Sequence, residues 1–203
     1  MIVLNDLYTG YSRDSPLLKG FSYDFDAKIY GILGESGCGK TTLLRTIAGL
    51  VKPLQGEVIV NGIKENRPSK NGIYMMHQNY TSFDWMTCLD NVLIAKKIKN
   101  RITKIDKENA MRMLRLVKLD AHAQKYPRQL SGGMRQRLAL ARTLFTQPQI
   151  ILMDEPLSAL DATTREEMQK IIIKMHKDSS NTIIMVTHST EDAKRMCDEI
   201  INL

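Results

Sequence analysis

The chain has 203 residues, of which 43% are hydrophobic, and a formal net charge of +7; that length fits one domain and should bury roughly 70% of the surface its unfolded form exposes. Three widely separated cysteines, Cys38, Cys88 and Cys197, form no CxxC or Cys/His cluster, which argues against a disulfide framework or a zinc site and for a reducing compartment. No apolar run nears the ~18 residues of a membrane span, Met1 to Asp6 lacks the pattern of a signal peptide, and the basic residues are dispersed, so neither a span, nor export, nor a nucleic-acid partner is expected.

Apolar runs of strand length alternate with amphipathic runs of helix length, the pattern of an α/β domain with a mainly parallel sheet. Ile29 to Leu33 is the first clear strand. It leads into Gly34-Glu35-Ser36-Gly37-Cys38-Gly39-Lys40-Thr41, which fits GxxxxGK[ST], and then into a helical run from Thr42 to Leu50. Glycines at these places let backbone N–H groups curl around phosphate oxygens, and a helix start adds about half a positive charge. In such a loop Lys40 reaches the β and γ phosphates and the Thr41 hydroxyl ligates Mg²⁺. Cys38 reads as a spacer whose backbone matters.

Strands are expected next at Glu57 to Val60 and Gly72 to Met76. From Thr87 to Gln147 helical periodicities follow one another with no strand between. Leu89, Val92, Leu93 and Lys96 open one helix, whose polar side and exit carry the basic run Lys96 to Arg101; Met111, Leu114, Leu116, Val117 and Leu119 give the next its apolar side. We read residues 87–147 as a helical insertion in a single domain spanning 1–203. Ser131, Gly132 and Gly133 then precede a helical run from Met134 to Leu144; alone they are an ordinary helix cap, though small residues at a helix start also suit an anion.

Gln149 to Met153 is an apolar strand ending in Asp154-Glu155-Pro156. Strand alternation would send the two carboxylates to opposite sides, so that one holds a Mg²⁺ shell and the other polarises water. A positioned base contributes about 10²–10⁴-fold to such a reaction. Thr163 and Glu166 match a capping box that starts a helix just after Asp161, and Thr182 to Thr187 and Glu199 to Leu203 complete the strands.

Taken together, these segments resemble the ATP-binding cassette (ABC) family over essentially the whole chain. Leu130-Ser131-Gly132-Gly133-Met134-Arg135-Gln136-Arg137 is similar to its signature, Ser158 to Asp161 to its D-loop, Gln78 to its Q-loop glutamine, and His188 to its switch histidine. Tyr11 falls where the family places an aromatic residue against adenine, with Tyr8 close by. The resemblance implies a P-loop NTPase (RecA-like) core with a mainly parallel sheet, an N-terminal antiparallel β part and an inserted α-helical subdomain.

It further implies that Mg-ATP is held by Tyr11, Gly34, Glu35, Ser36, Gly37, Cys38, Gly39, Lys40, Thr41 and Thr42. Ser131, Gly132, Gly133 and Asp161 would come from a second ATPase subunit in a head-to-tail dimer, two copies of this chain being the expected pair. Thr41, Gln78 and Asp154 would serve the metal; Glu155, His188 and Gln78 would serve hydrolysis.

The pattern Trp85-x-Thr87-x-x-Asp90-Asn91-Val92 is similar to the nitrate/sulfonate/taurine branch of importers, with Asp84 where proline is usual and Met86 where arginine or lysine is usual. In that branch the region from Gln78 to Val92 would receive membrane permease subunits, themselves served by a solute-binding protein. The ATPase would then be cytoplasmic and peripheral on the inner face of the cell membrane. Trp85 reads either as part of that docking surface or as a buried anchor of the helical insertion. A soluble ABC ATPase in cofactor assembly or another non-transport role stands as the alternative.

Overall fold

A computed structural model describes residues 1–12, 14–64, 72–77, 82–99 and 102–203. Its strands are Ile2–Thr9 (β1), Leu18–Phe25 (β2), Ile29–Leu33 (β3), Gln55–Val60 (β4), Ile73–Met76 (β5), Ile150–Asp154 (β6), Thr182–Val186 (β7) and Glu199–Asn202 (β8). Its α-helices are Lys40–Ile47 (α1), Cys88–Lys99 (α2), Lys104–Leu116 (α3), Gly132–Thr146 (α4), Ala162–Ser179 (α5) and Thr190–Met196 (α6). The chain divides into two compact units, the first comprising residues 1–75, 148–155 and 176–203 and the second 76–147 and 156–175.

The first unit holds two sheets. One is three-stranded, with β1 antiparallel to both β2 and β4; the other has the order β5-β6-β7-β3-β8, with β6–β7, β7–β3 and β3–β8 all parallel. The core lies between them and encloses α1. It takes Ile2, Leu4 and Leu7 from β1, Leu43, Leu44 and Ile47 from α1, and Tyr30, Ile32, Ile150, Leu152, Ile184 and Val186 from one face of the larger sheet. Ile151, Met153, Ile183 and Met185, on the opposite face, are equally buried. These strands therefore carry unbroken apolar runs because neither face meets water. Each such side chain contributes about 1.5–3 kcal/mol by leaving water.

In the second unit α2, α3 and α4 pack on one another, burying Val92, Leu93, Ala110, Leu114, Leu138 and Ala141. The helix expected to run through Leu119 stops at Leu116, because Lys118 takes a left-handed φ of 56°. The carbonyls freed there are met by Arg137, whose Nη1 donates to Val117 O at 2.8 Å and to Lys118 O at 3.1 Å. Asn91, fully buried, pins the approach to α2: its Oδ1 accepts from Phe83 N–H and its Nδ2 donates to Phe83 O, Met86 O and Thr87 O. Trp85 is 73% exposed on that segment, which rules out the buried-anchor reading.

Candidate functional site

Strand β3 delivers the chain into the Gly34–Thr41 turn, and α1 carries it away. The turn closes because Gly39, the N-cap residue of α1, has φ 103°, which a side chain resists. Gly39 offers no capping side chain, and no acidic residue stands in the first turn of α1. The N–H donors of that helix start are thus left to an outside acceptor. The helix begins at Lys40, two residues before the expected Thr42. Lys40 is 5% exposed, and its Nζ donates to Gly34 O at 2.7 Å and Glu35 O at 2.6 Å, so the ammonium is held over the turn.

Thr41 faces the end of β6, where its hydroxyl donates to Asp154 Oδ1 at 3.0 Å. These hard oxygens suit Mg²⁺ rather than a softer ion, so the donor set fits the metal the sequence implies. Asp154 is buried as the last residue of β6. Glu155 does not continue the strand. Its φ is 50° and its N–H donates to Val186 O at 3.0 Å, so a left-handed turn, not strand alternation, separates the two carboxylates. That corrects the geometric reason given for separating the two carboxylates.

Glu155 Oε1 lies 2.8 Å from His188 Nε2. His188 is set in the tight turn between β7 and α6, where Ser189 N–H donates to Thr187 Oγ1 and the Ser189 hydroxyl caps α6 by accepting from Asp192 N–H, each at 3.1 Å. The Glu155 side chain is 17% exposed and that of His188 50%, so the pair opens to solvent on the histidine side. Tyr11 is 69% exposed, with its phenol oxygen accepting from Arg45 Nη1 at 3.1 Å. Hydrogen bonds from Thr42 and Arg45 hold the phenol below its ordinary pKa. Gln78 lies outside the described residues.

Ser131, Gly132, Gly133 and Asp161 belong to the second unit. Ser131 caps α4, its hydroxyl accepting from Met134 N–H at 3.3 Å, and the first turn of α4 holds no acidic residue. Asp161 caps α5 by accepting from Thr164 N–H at 3.0 Å, a bond that holds its carboxyl below the usual range. The helix starts after Asp161 as expected, but Asp161 is the cap and Thr163 lies inside the helix. Sequence reasoning missed Gln136, which is 1% exposed and accepts from Ala159 N–H at 3.0 Å. A polar residue three places past the Gly-Gly pair, one helical turn before Leu140, was the available signal.

A parallel sheet with a glycine-rich turn after β3, a buried lysine at the following helix start and an acidic end to β6 define a P-loop nucleotide-binding fold. The comparison with known proteins narrows this: residues 18–158 match the ABC transporter family, and the chain belongs to that family. It is 43% identical to a taurine import ATP-binding protein of Roseobacter denitrificans, over 91% of this chain and 69% of the relative. A spermidine/putrescine import ATP-binding protein of Legionella pneumophila is 37% identical over 99% of this chain, and a sulfate/thiosulfate import ATP-binding protein of Synechocystis 39% identical over 98%. The chain spans 56% and 57% of the length of those two relatives.

A bacterial ABC transporter cassette solved as a dimer superposes with a TM-score of 0.90 at 30% identity, covering 100% of this chain and 94% of its own. The same cassette is known as a dimer in a post-hydrolysis state bound to ADP and Pi. The ABC cassette fold expected from the sequence is thereby established.

Proposed function

We propose that this chain is the ATP-hydrolysing subunit of an ABC importer and works as a head-to-tail dimer, most simply of two identical copies. One observation carries the reading. Of the six α-helices among the described residues, α2, α3 and α6 have a carboxylate in the first turn and α5 is capped by Asp161, whereas α1 and α4 have neither. Two helix starts, one in each unit, are therefore kept free of negative charge, as a polyphosphate gripped from two sides would require. The relatives named for import and the dimeric cassettes support the same conclusion.

In this reading the Gly34–Thr42 turn and Lys40 hold the phosphates, Tyr11 stacks on adenine, and Ser131, Gly132, Gly133 and Asp161 approach from the second subunit. Thr41 and Asp154 would hold Mg²⁺ with Gln78, and the metal when bound would neutralise charge on the phosphate oxygens. Glu155 orients water and takes its proton; His188, in contact with that carboxylate, keeps it aimed and reaches the γ-phosphate. Permease subunits would dock along Gln78 to Val92, where Trp85 stands exposed, and a solute-binding protein would act through them. No described helix is long and apolar enough to cross a membrane, and we place the subunit on the inner face of the cell membrane through its partners. Residues 87–147 would be the helical insertion that carries this docking surface.

The dimer is tested by the dependence of initial ATPase rate on protein concentration. A rate rising more steeply than linearly at low concentration is expected. Strictly proportional activity down to dilute monomer would refute the composite site.

A further inference from the structure

Gln136 ties the start of α4 to the loop Ser158–Asp161. Its side chain is almost wholly enclosed, and its Oε1 accepts from Ala159 N–H at 3.0 Å. Beneath that bond the two segments approach so closely that a methyl group on Gly133 would stand 2.9 Å from Ala159 O and 3.3 Å from the side chain of Leu160. The loop is fixed on its far side as well. Arg165 Nη2 donates to Leu160 O at 3.1 Å, and Asp161 caps α5. The helix is fixed in turn by Arg137 on the carbonyls that end α3. Ser131–Gly133 and Ser158–Asp161 are thus held on opposite sides of one buried amide.

We infer that Gln136 is a positioning residue that makes the Ser131–Gly133 helix start and the Ser158–Asp161 loop a single rigid face presented to the nucleotide of the other subunit. The inference rests on the composite dimer proposed above. Gln136 touches no phosphate itself. It acts by keeping the spacing between the donors at the start of α4 and the neighbouring loop, and an error of about 1 Å in such a spacing lowers turnover by about 10²-fold. Nucleotide affinity of the monomer belongs to the Gly34–Thr42 turn and is untouched.

The test uses Gln136→Met, which keeps the side-chain length and removes the acceptor, made alone and in a Glu155→Gln background. Gln136→Met should lower kcat by about 10–10²-fold and weaken ATP-driven dimerisation on gel filtration, with ATP affinity at protein concentrations below dimerisation unchanged within twofold. Gln136→Met protein with wild-type kcat and dimerisation overturns the inference, as does a loss of kcat matched by an equal loss of ATP affinity in the monomer. A Glu155→Gln protein that stays monomeric with ATP, with glutamine kept at 136, overturns the dimer reading and the inference with it.

Discussion

Replacing Glu155 by glutamine isolates one chemical step. The amide keeps the length and shape of the side chain and an oxygen able to stand 2.8 Å from His188 Nε2, while the backbone bond to Val186 O and the left-handed φ are those of any non-glycine residue there. Packing and stability should therefore be preserved. What disappears, in the proposed mechanism, is the basicity that draws a proton from water. Such a base is worth about 10²–10⁴ in rate, which at 1.36 kcal/mol per decade is about 2.7–5.4 kcal/mol of barrier. Phosphate release at saturating ATP and Mg²⁺ should fall by that factor while equilibrium ATP affinity stays within about threefold. Turnover within tenfold of the parent would remove Glu155 from the role. A loss of rate matched by an equal loss of affinity would show that the substitution damaged binding instead.

Lys40→Ala removes a buried ammonium already aimed over the turn, and charge-assisted bonds of this kind are worth about 1.5–3 kcal/mol each, so ATP affinity should drop by at least about tenfold. Unchanged affinity by isothermal titration would contradict the cradle. Stability should follow pH through the cluster of Glu199, Lys28 and Tyr23 in the first unit, where Glu199 accepts from Lys28 Nζ at 2.5 Å and from the Tyr23 hydroxyl at 2.6 Å. Lys28, then Tyr23, hold the Glu199 carboxyl below its ordinary range, so its contribution is present above the unfolded value and lost as pH falls through the folded one. The Tyr23 phenol is pushed up to about 12, chiefly by its bond to Glu199, and that contribution is lost as pH rises from the unfolded value near 10 toward 12. Melting temperature should decline on both limbs, and Glu199→Gln should flatten both; a variant with the parent's slopes would refute the assignment.

How far the sequence could be read varied with the kind of signal. Unbroken apolar runs such as Ile150 to Met153 and Thr182 to Val186 announced strands covered on both faces, and that is how they are packed. Strand β1 was harder to draw, because register shifts on both its neighbours between Leu4 and Tyr8, with Asp6 at φ 45°, break the period-two pattern the eye looks for. The end of α3 was not legible, because Lys118 turns left-handed and a distant side chain, Arg137, meets the freed carbonyls, whereas the start of α5 just after Asp161 was, although Asp161 rather than Thr163 is its cap. The place of Lys40 was legible because the glycines before it already specified the turn, whereas His188 was singled out by the family resemblance. Gln136 was not legible, because its role depends on a partner more than twenty residues away.

The backbone of Glu155 sets two demands against each other. A residue with a side chain in the left-handed region costs about 1 kcal/mol or more relative to glycine, and Glu155 is held there at φ 50°. Folding alone would favour glycine at this position, while the proposed activation of water requires a carboxylate. Under that mechanism a search for thermally hardier variants would be drawn to position 155 and would select inert protein, so that stability and turnover are opposed at a single residue.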